Sequence, residues 1–289
     1  MGNISETAYL VAMYRALESQ RSDALFQDPF ARALAGGQGK LLLAVFGSDR
    51  RIINAIAVRT YVMDQLILER VKSGQVDTVL NLGAGLDTRP YRLSLPQSLR
   101  WIEVDQAAVL AEKQRVLSQE QPVCRLQQVP LDLTDRSQRQ SLFRTVDATS
   151  GSVLVITEGL LTYLSQTVVG EIAMELHGCP TFQGWLLEFI SASMLRNPQT
   201  SWELKLFNQY FAQENTTPLL FAPETGADFF TNYGWQPVVV RSAWEELHRL
   251  HRGTFLSQVY NWLLKHFAKR LWRQTCRQSG VALLERSRA

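Results

Sequence analysis

The chain has 289 residues, 46% of them apolar, which is enough to bury a full core without covalent staples. Its three cysteines (Cys124, Cys179, Cys276) are odd in number and lack paired spacing, and its four histidines (His177, His248, His251, His266) show no ligand pattern, so a disulfide framework and a metal site are both excluded from the reading. The net charge of +3 divides unevenly: residues 241–289 carry ten Lys or Arg against Glu245, Glu246 and Glu285, a local +7 that leaves −4 for the rest and argues against a nucleic-acid-binding protein.

The opening Met1-Gly2-Asn3-Ile4-Ser5-Glu6 has neither a basic start nor an apolar stretch, and Glu6 stands where a myristoylation signal needs Ser or Thr. No apolar run is long enough to span a bilayer. A cytoplasmic location is the expectation.

Residues 1–75 read as a helical cap. Glu6 to Ser19 favours a helix, and Arg51 to Lys72 sets Ile52, Ala55, Ile56, Tyr61, Met63, Leu66, Ile67 and Leu68 on a broad apolar face. Gly36-Gly37-Gln38-Gly39 is expected to break the chain between them. From residue 76 short apolar runs alternate with helical stretches: 78–82, 101–104, 125–129, 153–156 and 185–189 read as five strands. Strand and helix in alternation predict an α/β fold with a parallel sheet covered on both faces, so 76–190 is the core.

Residues 191–289 are expected to hold a helix over Thr200 to Gln213, another near Thr225 to Asn232, and a sixth strand from Pro237 to Arg241, with Pro237 as its first residue. One long helical stretch should run from Trp244 to about Gln278, before a seventh strand from Val281 to Glu285. Within it, Thr254 to Arg277 places Leu256, Val259, Tyr260, Leu263, Leu264, Phe267 and Leu271 on one face and Lys265, Lys269, Arg273 and Arg277 elsewhere. A helix packed on the sheet with a solvated basic side is the first reading, membrane-surface contact or a hydrophobic-substrate role through 254–277 is the second, and a substrate lid or dimer contact is also open. No linker or internal repeat appears, so 1–289 reads as one domain.

The strongest local signal is Val79-Leu80-Asn81-Leu82-Gly83-Ala84-Gly85-Leu86-Asp87-Thr88-Arg89, a strand entering a Gly-x-Gly turn. Such glycines let the backbone approach a ligand closely, with helix N-terminal amides aimed at it. The second strand ends at Asp105, 20 residues beyond Gly85, where an acid accepts a ribose diol. Together they point to a nucleoside cofactor. Thr88 stands where a dinucleotide fingerprint needs a third small residue, which favours S-adenosylmethionine over NAD. Arg59 and Glu158 are the candidate cation and anion for its methionine end.

These residues, with Glu103-Val104-Asp105 and Thr157-Glu158-Gly159-Leu160-Leu161-Thr162-Tyr163-Leu164, resemble the leucine carboxyl methyltransferase family. More specifically, they resemble its bacterial branch of O-methyltransferases of polyketide or secondary metabolism. Tyr14-Arg15-Ala16-Leu17-Glu18-Ser19, Asp28-Pro29-Phe30-Ala31 and Arg59-Thr60 with Asp64 fit the same pattern. The resemblance implies a class I methyltransferase (Rossmann-like) seven-stranded sheet whose last strand is antiparallel. It implies that Arg59 pairs with the methionine carboxylate, that Gly83, Ala84 and Gly85 form the floor, and that Asp105 holds the ribose. Asp132 and Leu133 would flank the adenine, and Glu158 would face the ammonium. Tyr163 is the side chain expected to line the acceptor pocket, and Arg15 is expected either as a second cation at the site or as a holder of an acidic substrate. The expected activity is methyl transfer to a carboxylate or hydroxyl oxygen of a small molecule. The alternatives are a methyltransferase-fold binding protein without turnover and an NAD-dependent oxidoreductase.

Overall fold

The computed structural model describes residues 6–195 and 220–287. The helix expected over Thr200 to Gln213 lies outside the described residues.

Helices α1 (Thr7–Ser19), α2 (Ala31–Phe46) and α3 (Arg50–Lys72) precede the sheet. The expected break is present at the start of the glycine cluster, where Gly36 (φ 53°, ψ −147°) divides α2 into two helical pieces. Gly37 and Gly39 continue within α2. Gly39 sits so close to α1 that an added Cβ would meet the Tyr9 carbonyl at 2.9 Å. Helix α3 starts where Asp49 accepts the Arg51 amide and ends with Arg70 and Lys72 in its last turn, complementing the dipole.

Five parallel strands follow: β1 (Thr78–Leu82), β2 (Arg100–Asp105), β3 (Arg125–Pro130), β4 (Val153–Thr157) and β5 (Phe182–Ile190). Between them lie α4 (Arg89–Arg92), α5 (Ala107–Val116), α6 (Arg136–Thr149) and α7 (Gln166–His177). After α8 (Ala192–Leu195) and a 3-10 turn over Gly226–Tyr233 come β6 (Trp235–Ser242), α9 (Ala243–Arg249), α10 (Phe255–Phe267), α11 (Lys269–Cys276) and β7 (Ser279–Arg286). The strand order is β3-β2-β1-β4-β5-β7-β6, with β7 antiparallel to both neighbours.

The central strands are continuously apolar because both faces are covered. On β4, Val153 and Val155 pack toward Phe143, Val169, Ile172 and Trp235, whereas Leu154 and Ile156 face Val58, Val62, Leu66 and Ile67 of α3. Strand order reverses between β1 and β4, which opens a crevice outside their carboxyl ends.

Two expectations for the C-terminal region need correction. Pro237 is interior to β6, which begins at buried Trp235; β6 is an edge strand and its register shifts between Pro237 and Val239, so the missing amide breaks no central ladder. The helical stretch 244–278 is three helices, because the chain turns after Arg249 and again at Ala268 (φ −134°, ψ 54°). Among the described residues no helix is long and apolar enough to cross a membrane.

Candidate active site

The crevice at the switch point is a cavity of about 580 Å³, within the usual range for small-molecule sites. Arg59, Gly83, Ala84, Asp105, Asp132, Leu133, Glu158 and Tyr163 all line it. Gly85 is the exception among the candidates: it does not line the cavity and acts through Asp105.

The glycine loop is built differently from the expectation. Gly83 (φ 66°) and Gly85 (φ 52°) occupy the left-handed region, and a Cβ on Gly83 would meet the Leu160 side chain at 3.0 Å. The turn therefore needs glycine, but its amides do not face the cavity. Gly83 and Ala84 donate to the Val104 carbonyl at 2.8 and 3.1 Å, and Gly85 donates to Asp105 Oδ2 at 2.7 Å. Helix α4 is only one turn long, and Asp87 Oδ1 accepts the Arg89 amide at 2.9 Å. These amides are thus committed within the protein and do not cradle a pyrophosphate.

Asp105 Oδ1 also accepts the Gln106 amide at 2.7 Å, so both carboxylate oxygens are aimed by backbone. Burial pushes its pKa above the ordinary aspartate value, against the pull of these two amides. Just past the neighbouring strand β3, Asp132 Oδ1 accepts the Thr134 amide and hydroxyl at 2.8 and 2.7 Å, which leaves Oδ2 unbonded among the described residues. Leu133 beside it is buried.

Arg59 is held between two acids. Its Nη1 donates to Glu188 Oε2 at 2.5 Å, and its Nε lies 2.9 Å from Glu158 Oε1, an ion pair without hydrogen-bond alignment. Burial disfavours the guanidinium, but Glu188 and Glu158 outweigh that and raise its pKa. Its Nη2 makes no hydrogen bond among the described residues. Glu158 also accepts from Arg89 Nη1 at 2.6 Å; burial acts to raise its pKa, and Arg89 and Arg59 bring it below the ordinary value. Arg89 in turn reaches Asp64 (2.6 Å) and Asp87 (2.9 Å), forming a buried network under the floor.

Tyr163 closes the turn Leu161–Tyr163 after β4, and its hydroxyl is hydrogen-bonded to the Thr7 side chain at the start of α1. Burial pushes the phenol up to about 12. Helices α1 to α3 add Leu10, Val11, Tyr14, Phe46, Ile52 and Ile56, an apolar end.

Arg15 is not the available second cation that its position suggested. It lines the cavity, but Nη2 donates to the Leu86 carbonyl at 2.6 Å and Nε lies 3.4 Å from Asp28, so it clamps α1 to the glycine turn. Four contributors escaped the sequence reading. Glu188 lies 129 residues from its partner Arg59, and an acid within an apolar strand was the only signal for it. Asp87 and Arg89 belonged to the quoted motif without a role. Arg139, fully buried, donates to the Leu133 carbonyl at 2.6 Å and fixes the loop beneath the expected adenine position.

The sequence profile of the leucine carboxyl methyltransferase family matches residues 8–176. A protein named "Putative S-adenosyl-L-methionine-dependent methyltransferase" from Streptomyces coelicolor is 38% identical over 173 residues, covering 56% of this chain and 60% of that protein. A second of that name from Mycobacteroides abscessus is 33% identical over 192 residues, covering 61% of each. The match thus spans about 60% of the length of these curated relatives. In fold, the chain is similar to a DUF574 family protein from Streptomyces avermitilis (TM-score 0.59, 12% identity, 97% of each chain). It is also similar to a protein titled as a putative methyltransferase from Thermobifida fusca (TM-score 0.56, 13% identity, 96% of this chain and 94% of that one). With the class I sheet order and more than half of its length matched, the chain belongs to the leucine carboxyl methyltransferase family.

Proposed function

We propose that the chain is an S-adenosylmethionine-dependent O-methyltransferase acting on a hydroxyl of a largely apolar small molecule of the secondary-metabolite type. One observation carries this reading: among the described residues, five acids (Asp87, Asp105, Asp132, Glu158, Glu188) line the cavity against two cations (Arg15, Arg59). That excess of negative charge suits a cationic ligand and opposes a pyrophosphate, for which the inward-turned loop amides also offer nothing.

The residues fit such a cofactor. Asp105 accepts the ribose hydroxyls, Asp132 Oδ2 accepts from the adenine amine, and Leu133 packs on the ring. Glu158 and Glu188 face the ammonium, and Arg59 Nη2 takes the carboxylate. When bound, the cofactor supplies a methyl group on a positively charged sulfur that departs as a neutral thioether. The chain's own part is to place the acceptor oxygen in line and keep water out, and positioning of this kind can account for several kcal/mol of the barrier, roughly 7–11 in the best cases. Leu10, Val11, Phe46, Ile52 and Ile56 supply the dry wall. Tyr163, neutral near pH 7, donates a hydrogen bond and does not serve as the base. A neutral hydroxyl enters this acid-lined space without the repulsion that a carboxylate acceptor meets. Its proton passes to solvent as the acceptor oxygen ionises, so the new carbon–oxygen bond replaces the carbon–sulfur bond with the proton released to water.

Isothermal titration with S-adenosylmethionine, S-adenosylhomocysteine and NAD tests the cofactor. Binding of the first two and silence toward NAD is expected, and NAD binding alone would remove the proposal.

A further inference from the structure

The sequence pattern favoured a C-terminal helix whose apolar face packs on the sheet, and the structure places that face outward. On α10, Phe255, Leu256 and Phe267 are 80%, 77% and 76% exposed, and Val259, Tyr260, Trp262 and Leu263 are also exposed. Leu264 is the one buried side chain of this helix. Of the 15 large apolar residues exposed among the described residues, eight fall within 255–271. Scattered exposure is ordinary, whereas this concentration is the mark of a docking surface.

The orientation is fixed by polar contacts one turn from Leu264. Asn261 Oδ1 accepts Trp244 Nε1 at 2.8 Å and Trp272 Nε1 at 3.2 Å, which ties α10 to α9 and α11. Lys265 Nζ lies 5.7 Å from the Trp272 ring centroid. Arg252, just before α10, donates to Glu18 at 2.6 Å, and its carbonyl accepts Asn54 Nδ2 at 2.7 Å, so the helix is rooted beside the Ile52 and Ile56 wall of the cavity.

Charge identifies the occupant. Residues 247–284 contain no Asp or Glu, while 254–277 carry Lys265, Lys269, Arg270, Arg273 and Arg277, all exposed. None of the five forms an ion pair among the described residues. A second copy docked symmetrically would bring like charges together. We infer that α10 and α11 form a peripheral docking surface for an anionic lipid bilayer, with Phe255, Leu256 and Phe267 entering the interface and the five cations meeting the headgroups. This inference is independent of methyl transfer.

The test is co-sedimentation of the full chain with phosphatidylcholine vesicles, with and without phosphatidylserine, at low and high salt. Binding only to the phosphatidylserine vesicles, weakened by salt, is expected. Lys269→Gln with Arg273→Gln should reduce partitioning by about tenfold or more. Phe255→Ser with Phe267→Ser should abolish it while the melting temperature and cofactor binding stay unchanged, since both side chains are exposed. A full chain that ignores both vesicles overturns the inference. So does a dimer in light scattering that Phe255→Ser converts to monomer, because a second copy would then cover the face.

Discussion

Asp105 Oδ2 accepts the Gly85 amide at 2.7 Å, and this bond joins the end of β2 to the turn that leaves β1. The acid and the glycine, 20 residues apart, are thus one device. Gly85 supplies the left-handed turn that aims its amide, and the amide fixes the carboxylate at the cavity wall.

Asp105→Ala should weaken S-adenosylhomocysteine binding by about 10- to 100-fold, the cost of charge-assisted hydrogen bonds lost from ligand and loop together. Titration calorimetry reads it directly. Burial raises the Asp105 pKa, so acidification protonates it earlier than an ordinary aspartate. Wild-type affinity should therefore fall as the pH drops through that raised value, and an Asp105→Asn chain should lack this acid limb. Equal pH profiles in the two proteins would show that Asp105 is not the group concerned.

Arg89 sits at the centre of a buried network with Asp64, Asp87 and Glu158. Arg89→Met leaves Asp87 and Glu158 without their main cation and Asp64 with Arg92 alone among the described residues, and an unfolding free energy lower by about 3–5 kcal/mol is expected. The pKa values of Glu158 and Asp87 are both held low: burial opposes ionisation in each, and neighbouring cations, Arg89 foremost, outweigh it. A lowered folded-state pKa gives stability that is present above the unfolded value and lost as pH falls through the folded one. Denaturant unfolding of the wild type should thus steepen in acid, and Arg89→Met should flatten that dependence.

Four of the five parallel strands were legible because strands covered on both faces are short, largely apolar runs, and 78–82 is recovered with both ends intact; β3, an edge strand with two glutamines, carries only Leu126 and Val129 as apolar signal. Asp105 and Glu158 were legible because strand ends at a switch point carry ligand groups. Other features depend on partners distant in sequence. Nothing within 185–189 says that Glu188 will meet Arg59, and nothing in Gly83-Ala84-Gly85 says that its amides will turn toward Val104 and Asp105. Periodicity located the apolar face of 254–277 but could not say whether it points to the sheet or away. The break at Ala268 escaped because alanine carries no turn signal.

Arg139 holds the Leu133 carbonyl at 2.6 Å while its other nitrogens bind Glu171 and Glu175. Arg139→Lys keeps the charge but loses the planar fork. Cofactor affinity should fall by about fivefold, the effect of one hydrogen bond of roughly 1 kcal/mol, with the acceptor KM unchanged. A change in acceptor KM alone would show that the residue acts elsewhere.

Tyr163 separates the two acceptor chemistries. Its phenol, pushed to about 12, stays protonated at neutral pH. Tyr163→Phe should lower kcat by about tenfold through the lost hydrogen bond without moving the pH profile, because the residue does not titrate there. For a hydroxyl acceptor, the rate of both proteins should rise toward alkaline pH as the nucleophile loses its proton. For a carboxylate acceptor, already ionised at neutral pH, the profile should be flat. Product chemistry gives an independent readout: after incubation with methyl-labelled cofactor and a metabolite extract, label in an ether survives mild base, whereas label in a methyl ester is released. Base-stable label with an alkaline-rising rate is the expected result, and base-labile label with a flat profile would assign the transfer to a carboxylate.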